Sequence, residues 1–299
     1  MSVFEIWPSL AQAWEATGDS QLQSSQEEAG GACWRLIKSE TRVRVFWLET
    51  EGFSPSVFKV YRTPSRLAWR TFGLASRANR EFTVMMEAHR LGLPVVRPRY
   101  WLEHRVLGCV RFSAIALDAI DGTDLQSWLT SGAGDQQQRR RAAEATGRLL
   151  GRFHRAGLFS GTANPRNLLL PDGNSDQMCA IDLPYARLHG RDITGSDQAM
   201  ADIGRALLLS NGRRAFADDE QEAFMLSYCA GDAESARALK ARLRLMSHRE
   251  WKRQRFLRRL ANLLSRDTRS AGRGGIYCPE TGSYRRLNSG AVFLDQPLA

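Results

Sequence analysis

The stretch from Phe153 to Leu170 reads FHRAGLFSGTANPRNLLL. His154 sits at the end of an apolar helical run, Gly157 follows three residues later, and a short polar loop leads through Asn167 into three leucines. The helix before it starts at Asp135, a residue suited to an N-cap, in DQQQRRRAAEATGRLLGRFHRAG. After the leucines, PDGNSDQ joins NLLL to a second apolar run, CAIDL, which carries Asp182, so the two read as short strands of a hairpin. No Asp or Glu lies between Arg155 and Pro171. The loop therefore offers a hydroxyl, Thr162, and an amide, Asn167, but no carboxylate.

Upstream the pattern is β. CWRLIKS, RVRVFWLE and SVFKVYR each mix β-branched or aromatic residues with an alternating polar face, and polar turns separate them. Lys59 lies on the third, with apolar neighbours on both sides. A helix is expected from about Ser76 to Arg90, with Phe82, Met85, Met86 and His89 on one stripe, closed by the Gly and Pro of LGLPVVRP. Glu81 and Glu87 lie on different faces of it, and Arg77 is one turn from Glu81, placed for a surface pair. Two more strands are expected near Arg99–Glu103 and Cys109–Leu117. In ALDAIDGTDLQSWL the pattern turns helical, with Asp124 as an N-cap, and from Arg191 to about Ser265 the chain reads as helix. Strands first and helices later give an α+β fold of two lobes. A small β-rich lobe is expected at 31–121 and a larger helical lobe at 122–299. The polar extension at 1–30 is expected to hold a short helix, Phe4–Ala16, and a mobile Gln- and Ser-rich end.

Charge is unevenly spread. The chain of 299 residues carries 42 Lys and Arg against 32 Asp and Glu, a net +10. Residues 237–269 alone hold 12 Arg and Lys against Glu250 and Asp267, which accounts for the whole excess. Within them Phe256, Leu257, Leu260, Leu263 and Leu264 form an apolar helical stripe, with arginines between. This segment reads as a solvated helix face, as a contact with the anionic inner membrane surface, or as a contact with an acidic acceptor such as a phosphorylated sugar. No nucleic-acid-binding module accompanies the charge, so nucleic acid is not expected as a partner. The five cysteines are widely spaced with no CxxC pair, which suggests neither a zinc site nor a disulfide framework. No apolar run reaches the roughly 18 residues of a membrane span, and MSVFEIWPSLAQAWEATGD lacks the basic start and apolar core of a leader. A cytoplasmic protein is expected, peripheral on the inner face of the membrane if the basic segment contacts lipid. The tail at 270–299 reads as a loop or strand pair and matches no motif.

Taken in order, SRANREFTVMMEAHRLGLPVVRP, LGRFHRAGL…NPRNLLL and CAIDLPYARL resemble the bacterial lipopolysaccharide core kinases, the heptose and Kdo kinases, over about Arg35 to Leu209. That resemblance implies a protein-kinase-like fold with ATP and Mg²⁺ as cofactors and the lipopolysaccharide core, or another anionic sugar, as acceptor. It implies that Lys59 neutralises ATP phosphates, that Glu81 pairs with Lys59, and that the backbone from Leu117 to Ile120 meets the adenine edge. It makes Asn167 and Asp182 metal ligands, His154 a packing residue, and Asp202 in ADIGRALLL the residue that braces the loop. Thr162 then stands where the family pattern D-x-x-x-x-N has its base. The hairpin IKSETRV has no glycine to cover phosphates, and Leu183 and Pro184 depart from D-F-G. A Thr hydroxyl cannot act as the base. General-base catalysis contributes about 10²–10⁴ in rate, or roughly 3–5.5 kcal/mol, while positioning and metal electrostatics carry much of phosphoryl transfer. Two functions follow. One is phosphoryl transfer to a lipopolysaccharide core sugar hydroxyl at the cytoplasmic membrane face. The other is a catalytically silent pseudokinase that binds nucleotide or scaffolds envelope-biosynthesis enzymes.

Overall fold

The computed structural model describes residues 27–29, 32–40, 42–50, 52–171, 174–244, 274–278 and 283–287. The chain divides into two compact units, one of Met1–Glu87 with Val96–Ile120 and one of Ala88–Val95 with Asp121–Ala299.

The first unit is built on an antiparallel sheet of β1 (Glu27–Ala29), β2 (Ala32–Glu40), β3 (Val43–Thr50), β4 (Phe53–Arg62), β5 (Pro98–Val106) and β6 (Cys109–Asp118), in the order β1-β2-β3-β4-β6-β5. The end of the expected N-terminal extension is thus a strand, Glu27–Ala29, paired with β2. Alternation sorts the side chains. Phe58 and Val60 of β4 join Phe46, Leu48, Ala114 and Ala116 in one apolar cluster. Lys59 and Tyr61, one residue out of phase, point to the opposite face and are also buried, at 7% and 4% exposure. That face carries polar side chains. It is buried because the helix α1 (Arg77–Arg90) supplies a carboxylate to it.

That carboxylate also sets the rotation of α1, and here the expected stripe needs correction. The buried positions are Ala78, Glu81, Met85 and Ala88, whereas Phe82 and Met86 are half-buried and His89 is exposed. A stripe chosen by hydrophobicity alone leaves out Glu81, and the inward pull on Glu81 turns the helix toward the face that carries it.

The second unit is mainly helical. Its helices are α2 (Leu125–Ser131), α3 (Gln136–Arg155), α4 (Asp197–Ala206) and α5 (Asp218–Tyr228), and a further helix runs through 233–244. Asp124 caps α2 by accepting from Ser127 N at 2.9 Å. Asp135 and Gln138 form a reciprocal capping box at the start of α3. Short strands β7 (Gly122–Asp124), β8 (Leu158–Phe159), β9 (Leu168–Pro171), β10 (Cys179–Ala180) and β11 (Arg187–Leu188) complete the unit, with sheet order β10-β9-β7 and a separate β11-β8 pair. The expected hairpin appears as β9 and β10, with Leu169 opposite Cys179. Burial pushes the Cys179 thiol up to about 11, so it packs as a neutral apolar group.

The helical reading from Arg191 onward holds only in pieces. Asp192 to Ser196 form a capped loop before α4, and a Leu208–Arg214 bridge closes a turn at Gly212, whose φ is +85°. That turn separates α4 from α5. Residues 245–265 of that reading lie outside the described residues, as does most of the basic segment. In the tail, β12 (Gly274–Cys278) and β13 (Ser283–Leu287) pair antiparallel.

The core of the second unit depends on close contact between α3 and α5. A Cβ at Gly147 would stand 2.2 Å from Phe224 O, and one at Gly151 would stand 2.8 Å from Tyr228 O. Both neighbours are backbone and cannot swing aside. Gly147→Ala is therefore expected to destabilise the protein by about 3 kcal/mol, despite the better helix propensity of Ala, and a lowered urea midpoint checks this.

Candidate functional site

In the first unit the site is a buried charge network. Lys59 Nζ donates to Glu81 Oε1 at 3.0 Å, with the two side chains 9% and 0% exposed. Tyr61 sits two residues beyond Lys59, on the same face, and its hydroxyl donates to Glu81 Oε2. The Tyr61 ring lies 5.4 Å from Lys59 Nζ and 4.4 Å from the Arg77 guanidinium carbon. Both oxygens of Glu81 are thus held, one by a cation and one by a neutral donor. This restricts the carboxylate to one rotamer and, through it, the lysine. Sequence reading placed Lys59 and Glu81 but missed Tyr61. The available signal was an aromatic with a polar tip at spacing two from the lysine, which a strand puts on the same face.

Leu117 lies inside the sheet, opposite Val57 on β4 and Pro98 on β5. Beyond it, Asp118 N donates to Arg97 O at 2.9 Å and Ala119 N to Pro55 O at 3.2 Å. The half-buried Ile120 is the first residue past these bonds. Arg99 ties this strand end down. Its Nε bonds Asp118 Oδ1 at 2.5 Å, its Nη1 bonds Ser54 O at 2.9 Å and Ser56 Oγ at 2.5 Å, and its Nη2 bonds Pro55 O at 3.2 Å. This clamp joins residues more than forty positions apart, and no local pattern marks it.

In the second unit the loop after α3 brings Thr162, Asn167 and Asp182 together. Asn167 Nδ2 donates to Thr162 O at 2.8 Å, and Thr162 Oγ1 donates to the main-chain carbonyl of Asp182 at 2.5 Å. Ile181 N donates to Asn167 O at 3.0 Å. The Thr162 hydroxyl is therefore committed as a donor to the strand end that carries Asp182. The Asn167 amide is oriented by its nitrogen, which leaves Oδ1 as its side-chain acceptor. Oxygen donors of this kind suit a hard cation such as Mg²⁺, which takes few protein ligands and keeps the rest for phosphate and water. No cluster of three or more His, Cys, Asp or Glu able to hold a metal occurs among the described residues. Asn167 and Asp182 are thus a pair that fits Mg²⁺ only as a shared ligand set.

Beneath the loop, Asp202 of α4 is fully buried and accepts from Ser160 N at 2.7 Å and Gly161 N at 3.0 Å. Gly161 has φ +70°, the left-handed region, which aims its amide inward at the carboxylate. His154, also fully buried, has Nδ1 at 2.8 Å from Tyr228 Oη, while its Nε2 stands 3.5 Å from Asp202 Oδ2, long for a hydrogen bond. Burial pushes the Tyr228 phenol well above its ordinary range, so it remains a neutral partner for the imidazole. Tyr228 is contributed by α5, and its role shows only once α3 and α5 are packed together.

Comparison with known proteins bears on both units. A model of the lipopolysaccharide kinase (Kdo/WaaP) family matches residues 38–228. A 3-deoxy-D-manno-octulosonic acid kinase of Xylella fastidiosa is 27% identical over 182 residues, spanning 56% of this chain and 68% of that protein. The enzyme of the same name from Xanthomonas campestris pv. campestris is 27% identical over 186 residues, spanning 59% and 71%. Among solved structures, WaaP in complex with acyl carrier protein aligns at a TM-score of 0.51 with 16% identity, over 73% of this chain and 87% of that one. The fold is accordingly α+β and kinase-like, with a β-rich N-terminal region and a helical C-terminal region. The family match spans more than half of the sequence, and the chain belongs to the lipopolysaccharide kinase (Kdo/WaaP) family.

Proposed function

We propose that this chain transfers the γ-phosphoryl group of ATP to a sugar hydroxyl of the lipopolysaccharide core, at the cytoplasmic face of the membrane. The named relatives point to 3-deoxy-D-manno-octulosonic acid as that sugar. The observation that carries the reading is the Lys59–Glu81 pair with Tyr61. Burying two charges costs several kcal/mol per ion in solvation, and an apolar pair of similar size is often at least as stable. A kinase has a use for this arrangement, because a lysine held by a glutamate meets the α- and β-phosphates without first having to be ordered.

Asn167 Oδ1 and the Asp182 carboxylate are the groups that would hold Mg²⁺, which when bound neutralises charge on the phosphate oxygens. Asp202 and His154 keep the loop in shape. The chain's own contribution to transfer is then positioning and electrostatics. Of the basic segment, Lys240 and Arg242 are bonded to Glu222 and Asp197, so membrane contact there would fall to the remaining charges, the exposed Arg237 and Arg244 among them. No helix among the described residues is long and apolar enough to cross a membrane.

A catalytically silent module is the second reading, and the committed hydroxyl of Thr162 favours it. With that hydroxyl bonded to Asp182 O and no acid between Arg155 and Pro171, the loop has no group that takes a proton from an acceptor.

Titration calorimetry separates nucleotide binding from its absence. Wild type is expected to bind ATP with Mg²⁺, and Lys59→Ala and Asp182→Ala are each expected to weaken binding by about tenfold or more. No binding at millimolar ATP would remove the first reading. The structure also bears on restoring the base. An Asp at 162 gives up the donor to Asp182 O and sets a carboxylate against that carbonyl, at a cost of about 1–3 kcal/mol. Thr162→Asp is therefore expected to melt earlier than wild type and to raise turnover by no more than about tenfold, short of a full general-base contribution. A gain of about a thousandfold would mean the site lacks only its base.

A further inference from the structure

Two neighbouring segments of the first unit present large apolar side chains to solvent. In and after the tight turn Trp69–Thr71, Trp69 is 70% exposed, Phe72 67% and Leu74 57%. In the turn between β5 and β6, Leu107 is 91% exposed. The segments are bonded into one surface. Arg105 donates from Nη1 to Gly108 O at 2.8 Å and from Nη2 to Leu74 O at 2.7 Å, and Val110 N donates to Thr71 Oγ1 at 2.8 Å. The Phe72 ring lies against Gly108, where an added Cβ would stand 2.7 Å from it.

Folding does not account for Leu107. The β5–β6 turn has two residues, with φ of 49° at Leu107 and 76° at Gly108. Such turns favour Asn or Asp before Gly, because their short polar side chains tolerate the left-handed backbone. A leucine strains the turn and gains no burial in return. An asparagine would serve the turn better on both counts.

The surroundings are basic, and the acid near them, Glu103, is paired. Between Arg62 and Arg80 the sequence holds five arginines and no Asp or Glu, and no acid lies between His104 and Leu117. Arg62, Arg70 and Arg80 are exposed. Glu103, at the margin, is bonded to Arg105 at 2.6 Å. Aromatic and leucine side chains projecting from rigid turns, in segments rich in exposed arginine and with the neighbouring acid paired, match the chemistry of a bilayer surface. There the rings enter the headgroup region and the guanidinium groups meet lipid phosphates.

We infer that this face docks on an anionic lipid bilayer, with Trp69, Phe72 and Leu107 entering the interface and Arg62, Arg70 and Arg80 on the headgroups. The surface is separate from the basic segment at 237–269, and the inference does not depend on phosphoryl transfer.

Co-sedimentation of the full chain with vesicles tests it, using phosphatidylglycerol–phosphatidylethanolamine vesicles against phosphatidylcholine alone. The double variant Trp69→Ser, Leu107→Asn removes two exposed side chains, and its second change relieves the turn. Wild type is expected to bind the anionic vesicles, and the double variant to bind about tenfold more weakly or worse. Leu107→Asn alone is expected to melt no lower than wild type, which separates lost docking from lost folding. Equal binding by wild type and double variant would overturn the proposal and assign lipid contact to another surface, such as residues 237–269. Failure of wild type to bind either vesicle overturns it in favour of an acidic protein partner. Lipid-free self-association that the double variant abolishes overturns it in favour of a contact between copies of the chain.

Discussion

Asp202 accepts hydrogen bonds from the main-chain amides of Ser160 and Gly161 with its side chain wholly out of solvent, and the candidate site of the second unit is built on that contact. A buried carboxylate is tolerated only where donors replace its water, and charge-assisted bonds to amides are among the stronger ones available. Arg205 Nη1 adds a third donor at 3.3 Å. From there the order passes outward. Ser160 Oγ accepts from Thr162 N, Thr162 O accepts from Asn167, and Thr162 Oγ1 reaches Asp182 O. The two oxygen donors proposed for Mg²⁺ thus descend from one carboxylate through a continuous hydrogen-bond chain.

The first unit solves a similar problem differently. There the buried carboxylate, Glu81, is fixed by Lys59 and Tyr61, and the object being positioned is the lysine. In both places a charge lies in a low-dielectric setting with its donors supplied by rigid elements. Such an arrangement supports electrostatic catalysis without reorganisation at the moment of reaction. Against this, the hydroxyl of Thr162, at the position the family resemblance gives to a base, bonds across to Asp182 O. Asp202 holds the loop through two main-chain amides, and besides Thr162 the chain departs from the kinase pattern at the glycine-free hairpin IKSETRV and at Leu183 and Pro184.

Much of this was legible before the structure. Strand alternation located β2 to β4, and the Asp135 and Asp124 caps located α3 and α2, because those signals are local. Lys59, Glu81, Asn167 and Asp182 could be named through a family resemblance that rests on order and spacing. The rest depended on tertiary contact. The rotation of α1 follows from Glu81 turning inward, which a hydrophobic count opposes. Tyr61, Arg99 and Tyr228 act on residues 20, 19 and 74 positions away, respectively. The long helical reading after Arg191 failed at a Gly-containing turn closed by the Leu208–Arg214 bridge, where no Pro marks the break.

The central claim is that a kinase loop without its carboxylate still belongs to a working phosphotransferase. The direct measurement is transfer of radiolabel from γ-labelled ATP to lipopolysaccharide core acceptor lacking the phosphate, with Asp182→Ala as the matched control. The account predicts slow, Mg²⁺-dependent labelling of the acceptor by wild type and none by the variant. ATP binding by wild type with no label on the acceptor over many hours would contradict it, and would leave the chain a nucleotide-binding relative of the kinases.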